Sequence, residues 1–373
     1  MSTAQPTPAP SPSGTPTEPH TDRFLKTPGN SFVLPEHRLV YMSTTKVACT
    51  SLKWMVADLA GEDLDVFRNG SSGVQSRLMT IHRGRGRFKH ATGLNKLTAA
   101  QVEEIAAENG WFVFGLLRDP WSRLWSAWQS KFLVRHHRYR TNFADQPFFP
   151  RVPSKASDVV EDFRRFVELH PWTTDPILKN DNHFHTQMRW LKPDEIPYSR
   201  VYDLRDFRTF TDDLHLHLRG LGKDQELYLP RANETPLPMT REVMAGGVKE
   251  AIEELYAEDF AAYGHRWDFE RLKFAPDGWN DDAIAHAAYH TVANDWIDQV
   301  NTTGKQWRDE RDAVRRKHRQ ARKRLRRLEA RAERLKADNQ RLGGGTGSLA
   351  GRVVGAARHP RAAAGKVARR LRG

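Results

Sequence analysis

Two short stretches of the chain carry residues suited to gripping a strongly anionic ligand. The first is "KVACTS", residues 46–51, between the apolar "HRLVYM" and the helical-looking "LKWMVADLAG". A loop that leaves a buried strand and opens a helix presents free backbone N–H groups at the positive end of the helix dipole. Lys46 adds a full charge, and Thr50 and Ser51 add hydroxyl donors. Ala48 and Cys49 are small enough for phosphate to approach the backbone. The second stretch is "RDP" after "WFVFGLL", with Arg118 at the strand end and Ser126 eight residues on, inside the next helix. A guanidinium binds phosphate bidentately, and the serine offers one more donor. Each stretch also suits a plainer role: an N-capped helix with a surface lysine, or an arginine paired with its neighbouring aspartate. The "GxxxxGK[ST]" signature is absent, so neither is a Walker loop.

The elements that must position these residues follow from periodicity. "RLVYMS" is a short strand. Leu52, Met55, Val56 and Leu59 then recur at helical spacing, with Gly61 placed to stop the helix. "GVQSRLMTIHRGRGRFKH" is polar and basic and reads as loop. "LTAAQVEEIAAENG" reads as a helix, with Thr98 as N-cap and Gly110 after its end. "WFVFGLL" is an apolar run of the kind found in strands buried on both faces. Trp121, Leu124, Trp125, Trp128 and Phe132 again fall at helical spacing. Strand–loop–helix therefore occurs twice, which predicts an α/β fold with a parallel sheet flanked by helices. Three later segments read as helices: "VVEDFRRFVELH", "REVMAGGVKEAIEELYAEDFAAYG" and "DAIAHAAYHTVANDWIDQV".

Composition limits the alternatives. The 373 residues carry a net charge of +13, but residues 305–342 hold 16 Lys/Arg against 6 Asp/Glu, and residues 343–373 hold 7 Lys/Arg and no acid. The remainder is mildly acidic, so the basic pI says little about nucleic-acid binding by a folded core, and nucleic acid is not an expected partner. A single cysteine excludes an intrachain disulfide framework. No apolar run reaches the length of about 18 residues that suggests a membrane span. The expected organisation is a disordered leader over 1–22, a globular domain over 30–275, a helical extension over 276–304, a basic helix or coiled coil over 305–342, and a flexible basic tail over 343–373. Val314, Ala321, Leu328, Leu335 and Leu342 are spaced by seven. That seam suits a coiled-coil stalk for a homo-oligomer, whereas the charge suits an anionic membrane surface or an acidic partner.

"KVACTSLKW", followed about seventy residues later by "FVFGLLRDPWSRLWSAWQSKF", resembles the Golgi carbohydrate sulfotransferases and their bacterial relatives. Lys46, Val47, Ala48, Cys49, Thr50 and Lys53 match the family's 5′-phosphosulfate loop, with Thr45 where proline is usual. Arg118, Asp119, Pro120, Arg123, Leu124, Ser126 and Ala127 match its 3′-phosphate motif. "DNHFHTQ", "VYDLRDF", "LPRANETP" and "YAEDFAAYGH" are similar to later family segments, in the family's order. The resemblance covers roughly residues 36–268. It implies a P-loop-like sulfotransferase fold and transfer of a sulfuryl group from 3′-phosphoadenosine 5′-phosphosulfate (PAPS) to a carbohydrate hydroxyl, with no metal required.

In that scheme Lys46 helps the departing 5′-phosphate, and the Val47, Ala48, Cys49, Thr50 and Ser51 backbone and hydroxyls hold it. Arg118 and Ser126 hold the 3′-phosphate, assisted by Arg231 with Asn233 and Thr235. The acceptor hydroxyl needs a general base, and histidine suits neutral pH. His90, in the loop-rich stretch between the two motifs, is the first candidate and His183 the second, with His82 and His185 close to them in sequence. "HFH" lacks a third ligand at metal-site spacing, and no histidine partner is identifiable that would make Cys49 a nucleophile. Arg83, Arg85, Arg87 and Lys89 suit an anionic acceptor, such as a uronic-acid glycan, or simply a solvated charged face. Without an anchor of the Golgi kind, the expected location is cytoplasmic, with the basic C-terminal region able to touch the inner face of a membrane. The competing readings are a phosphotransferase, a catalytically dead scaffold, and a non-catalytic protein that binds polyanions or nucleic acid through its C-terminal region.

Overall fold

The structure is a computed structural model that describes residues 30–68, 77–83, 85–232 and 235–342. The leader over 1–22, the tail over 343–373 and Asn233 lie outside the described residues. The chain divides into two compact units, residues 1–301 and 302–373.

In the first unit, a four-stranded sheet runs in the order β1 (Ser31–Leu34), β2 (Leu39–Met42), β3 (Phe112–Leu117) and β4 (Arg200–Asp203). β2, β3 and β4 are parallel neighbours, while β1 pairs antiparallel with β2. The sheet is therefore mixed rather than purely parallel. Only the turn Pro35–His37 and Arg38 join β1 to β2, far short of the dozen or more residues that a parallel crossover needs.

Strand alternation sorts the core into two faces. Leu39 and Tyr41 of β2 and Phe114 and Leu116 of β3 pack with Leu52, Met55, Val56 and Leu59 of helix α1 (Cys49–Leu59). Val40, Met42, Val113 and Leu117 face the other way. They join Trp121, Leu124, Trp125 and Trp128 of helix α2 (Pro120–Trp128) and Val159, Phe163 and Phe166 of helix α3 (Ala156–Leu169). Phe210, Leu214 and Leu218 of helix α4 (Phe207–Gly220) close the first face beside α1. Gly115, in the middle of β3, has no room for a side chain: a Cβ there would sit 2.7 Å from Leu191 Cδ2. Helix, sheet and helix layers thus place the carboxyl ends of β2 and β3, with their following loops, side by side.

Three segments differ from their periodic reading. "LTAAQVEEIAAENG" is helical only over Ala99–Glu103; Thr98 caps it in a capping box with Gln101, and Gly110 takes a left-handed conformation after a short turn. "REVMAGGVKEAIEELYAEDFAAYG" is interrupted twice: Gly246 and Gly247 adopt positive φ and separate the turn Glu242–Met244 from helix α5 (Val248–Leu255), and Tyr256, at φ −115° and ψ 27°, separates α5 from helix α6 (Ala257–Tyr263). Parts of the basic stretch read as loop form 3-10 turns, Met79–Arg83 and Arg85–Arg87. A single helix α7 covers Asp281–Arg341, so no break separates the extension from the basic segment. Its first turns are held in the first unit by Thr291 Oγ1, which donates to Leu133 O at 2.8 Å, and by ion pairs of Arg135 with Asp295 and Arg140 with Asp298. Among the described residues, no helix is long and apolar enough to cross a membrane.

Candidate active site

The loop after β2 is strained in a useful way. Lys46 and Ala48 both sit in the left-handed region, at φ 67° and 50°. For residues with a Cβ this costs on the order of 1 kcal/mol each. The reversal turns the chain directly into α1, whose N-cap Ala48 contributes no side-chain hydrogen bond. The first N–H groups of α1 therefore depend on an outside acceptor. Val47 points into the core, so only its backbone can serve a ligand.

Arg123 locks this loop in place. Its fully buried guanidinium donates to Thr45 O at 3.2 Å, Thr45 Oγ1 at 3.3 Å, His185 O at 2.8 Å and Asn182 O at 3.3 Å. Thr45 Oγ1 also donates to Asn182 O at 2.7 Å. The matched Arg123 is thus a clamp between the loop and the "DNHFHTQ" segment.

The loop after β3 is built differently. Asp119 caps α2 through Ser122 N and also accepts from Ser122 Oγ at 2.5 Å. Arg118 Nε donates to Ser122 Oγ at 2.8 Å, which aims the fork. Gln187 grips the Arg118 backbone at both N and O, at 2.9 and 2.8 Å. Buried Asp259 in turn accepts from Gln187 N and Met188 N at 2.7 and 3.1 Å. Among the described residues, the two Nη groups of Arg118 take no acceptor.

Both loops open on one cavity of about 490 Å³. Lys46, Ala48, Cys49, Thr50, Ser51, Arg118, Ser126, Arg231 and His183 all line it. The cavity also takes in Lys131, Arg138, Tyr139 and His82. Among the described lining residues there are five Lys/Arg and no Asp/Glu. Lys46 is buried, and its ammonium donates to Ser130 Oγ at 2.8 Å. Burial, and next the Lys131 charge, hold the Lys46 pKa well below its ordinary value. Burial likewise lowers that of Lys131, whose ammonium lies 5.7 Å from the Tyr139 ring centre. Two buried cations without a carboxylate partner are costly until an anion arrives.

The four candidate histidines separate cleanly. His90 is exposed and outside the cavity; its backbone N–H donates to Glu62 at 2.7 Å. Glu62, which accepts from Lys89 N, His90 N and Ala91 N, ties that segment to the far end of α1. His185 lies against Arg189, with ring nitrogens 3.0 and 3.2 Å from Nη1, and lines a different groove. His82 lines the cavity, but both its nitrogens are engaged: Nε2 with Thr50 Oγ1 at 2.8 Å, and Nδ1 with the Lys53 ammonium at 3.2 Å. Because Lys53 donates to Nδ1, Nε2 carries the proton and donates to Thr50. His183 is the one left with a nitrogen to offer. Its Nδ1 lies 2.6 Å from Asp181 Oδ1, while the Tyr139 hydroxyl donates to Asp181 Oδ2 at 2.5 Å. Burial, with Lys131 next, lowers the His183 pKa to about 3, so the ring is neutral at pH 7. The Asp181 carboxylate fixes the tautomer with the proton on Nδ1, leaving the Nε2 lone pair for a substrate.

Residues 29–266 match the model of the sulfotransferase family. The chain belongs to the sulfotransferase family. It is 26% identical over 263 residues to carbohydrate sulfotransferase 10 of Gallus gallus, a match that covers 63% of this chain and 66% of that relative, just under two thirds of its length. No solved structure matches significantly.

The cavity and its supports include several residues that the sequence motifs did not single out. Lys131 sits in a π turn, Gln129–Leu133, that extends α2; the added residue per turn swings it into the cavity. Asp181, two residues before His183 in "DNH", and Tyr139, from a distant segment, support its ring. Ser51, expected to donate to phosphate, instead donates to Pro230 O at 2.7 Å, which seats the neighbouring Arg231 at the cavity wall.

Proposed function

We propose that the protein transfers a sulfuryl group from PAPS to a hydroxyl of a carbohydrate acceptor. One observation carries the reading: an Asp181-held neutral His183 shares a cavity with buried Lys46 and Lys131 and half-buried Arg118, and no carboxylate lines that cavity among the described residues. A nucleotide with phosphates at both ends supplies the missing negative charge. The P-loop-like turn at Lys46–Ser51 suits its 5′ end, through the uncapped N-terminus of α1 and the Lys46 ammonium. Arg118, with Ser126 and Arg231, suits the 3′-phosphate, the group that distinguishes this donor from other adenine nucleotides.

The donor contributes the sulfuryl group; the chain contributes position and charge. His183 Nε2 takes the proton from the acceptor hydroxyl as its oxygen forms a bond to sulfur. The bond from sulfur to the 5′-phosphate oxygen breaks, and Lys46 meets the charge that develops on that oxygen. Lys131 is placed to meet the charge on the sulfuryl oxygens. The Thr50 hydroxyl accepts from His82 and donates weakly to Met79 Sδ at 3.9 Å, a contact it can exchange for a donor oxygen.

A second cavity, of about 200 Å³, shares His82 with the first and is lined by Phe32, Phe88 and Trp190 together with Asn30 and Asn182. Apolar rings beside amides match the two faces of a sugar. We assign this cavity to the acceptor.

The test is sulfate transfer from labelled PAPS to a panel of neutral and uronic-acid glycans, with His183→Gln beside the native chain. Transfer by the native chain, with turnover in the variant reduced about 10³-fold and donor binding kept, is the expected result. Donor binding with no transfer to any glycan would remove the carbohydrate assignment; equal turnover in the variant would remove His183.

A further inference from the structure

Helix α7 carries an apolar seam that the sulfotransferase domain does not use. In the second unit, Trp307, Val314, Leu328, Leu335 and Leu342 are each more than half exposed, spaced by seven or fourteen residues, with Ala321 completing the row. Leu325 and Ala332 fall on the adjoining row, four residues after one member of the first row and three before the next. These are the d and a positions of a heptad pattern, and α7 is helical throughout the stretch to Arg341. The flanking e and g positions carry seven Lys/Arg and three Asp/Glu.

Three occupants compete for such a face, and the pattern discriminates among them. On a flat membrane a straight α-helix lets a seven-residue stripe drift by about 20° per turn pair, so by about 100° between Trp307 and Leu342. The stripe would leave the surface. A helical partner follows the drift by supercoiling, which is what a strict seven-residue period encodes. A second copy of this chain would place Arg311 against Arg311 and His318 against His318 at a positions of a parallel pair, and would align two segments each of net charge +10. An acidic helix pairs both the seam and the charge.

We infer that residues 302–342 form one strand of a heteromeric coiled coil whose partner is an amphipathic helix with apolar a and d positions and acidic e and g positions. The inference is independent of the donor site. The +10 charge makes the association salt-sensitive, and the leucines make it register-specific.

The experiment uses the full-length chain and a synthetic peptide of five heptads with leucine at a and d and glutamate at e and g. Controls are a scrambled peptide of the same composition, a lysine-for-glutamate peptide, and phosphatidylserine vesicles. The heptad peptide is expected to bind at least about tenfold more tightly than the scrambled one, and to weaken about tenfold or more from low to high salt. Leu328→Asp with Leu335→Asp, both exposed positions whose helix content circular dichroism can check, should abolish binding. Arg324→Glu with Arg331→Glu should shift preference toward the lysine peptide. Equal binding of heptad and scrambled peptides would overturn the inference. So would sedimentation of the chain alone as a dimer that the leucine substitutions dissociate, or binding only to vesicles.

Discussion

The two strand–loop–helix corners of this member of the sulfotransferase family share a sheet and a cavity, yet they prepare for anions in opposite ways. At the corner after β2, α1 begins without a side-chain cap, and Lys46 and Ala48 hold left-handed backbone. Its backbone and helix dipole face the cavity directly. At the corner after β3, Asp119 already caps α2, so the helix end is spent. Recognition there passes to one side chain, Arg118, fixed by Ser122 and Gln187. The first corner suits a group whose charge changes during reaction, since backbone dipoles and a buried ammonium are preorganised for it. The second suits a group that must be identified but does not react, since a guanidinium fork reads phosphate geometry.

Substitutions should break this division of labour in a set order. Lys46→Ala should have the largest effect, lowering kcat by about 10³-fold with a smaller change in donor affinity. Comparable losses in kcat and affinity would show that Lys46 only binds. Arg118→Ala should weaken binding of 3′-phosphoadenosine 5′-phosphate by about 10²-fold and leave that of adenosine 5′-phosphate nearly unchanged. Calorimetry with both nucleotides checks it.

Acid should attack the first corner before the second. Burial, then the Lys53 charge, lower the His82 pKa to about 2, far below its unfolded value near 6.5. The unfolded chain therefore binds the extra proton first. The stability held by neutral His82 is complete above pH 6.5 and falls as pH drops toward 2. The loss should reach about 2 kcal/mol between pH 6.5 and 5, with His183 acting in the same direction. Denaturant unfolding across that range, with His82→Gln as a less pH-sensitive reference, measures it.

At the second corner, Asp119→Ala removes the cap of α2 and the partner of Ser122, and should cost about 1–2 kcal/mol of stability in urea unfolding. The smallest change expected is at Ala48→Gly. Relief of left-handed strain should stabilise the chain by about 0.5 kcal/mol. A loss of stability there would contradict the strain assigned to the first loop.

How much of this was legible depends on whether the information was local. Lys46, Thr50, Arg118 and Ser126 lie next to apolar strands in contiguous motifs, so strand, loop and helix could be read together. Thr98 as a cap was equally local. The base was not. His90 stood between the motifs in sequence, but Glu62 anchors its segment away from the cavity. His183 gains its role from Asp181 and from Tyr139, 44 residues away. Arg123 looked like one more motif match, and its four carbonyl and hydroxyl contacts exist only once 45 and 182–185 meet. Lys131 lay in an aromatic helix pattern that gave no hint of a π turn. β1, four residues that pair antiparallel with β2, was not read from the sequence, because no strand–loop–helix motif follows it.

The most direct test of the account is calorimetric titration of the native chain with 3′-phosphoadenosine 5′-phosphate, beside adenosine 5′-phosphate and the Arg118→Ala variant. The account predicts binding at least about tenfold tighter for the bisphosphate, an advantage that disappears without Arg118. Well-folded protein that binds both nucleotides equally, or neither, would contradict the assignment of this cavity to the sulfuryl donor.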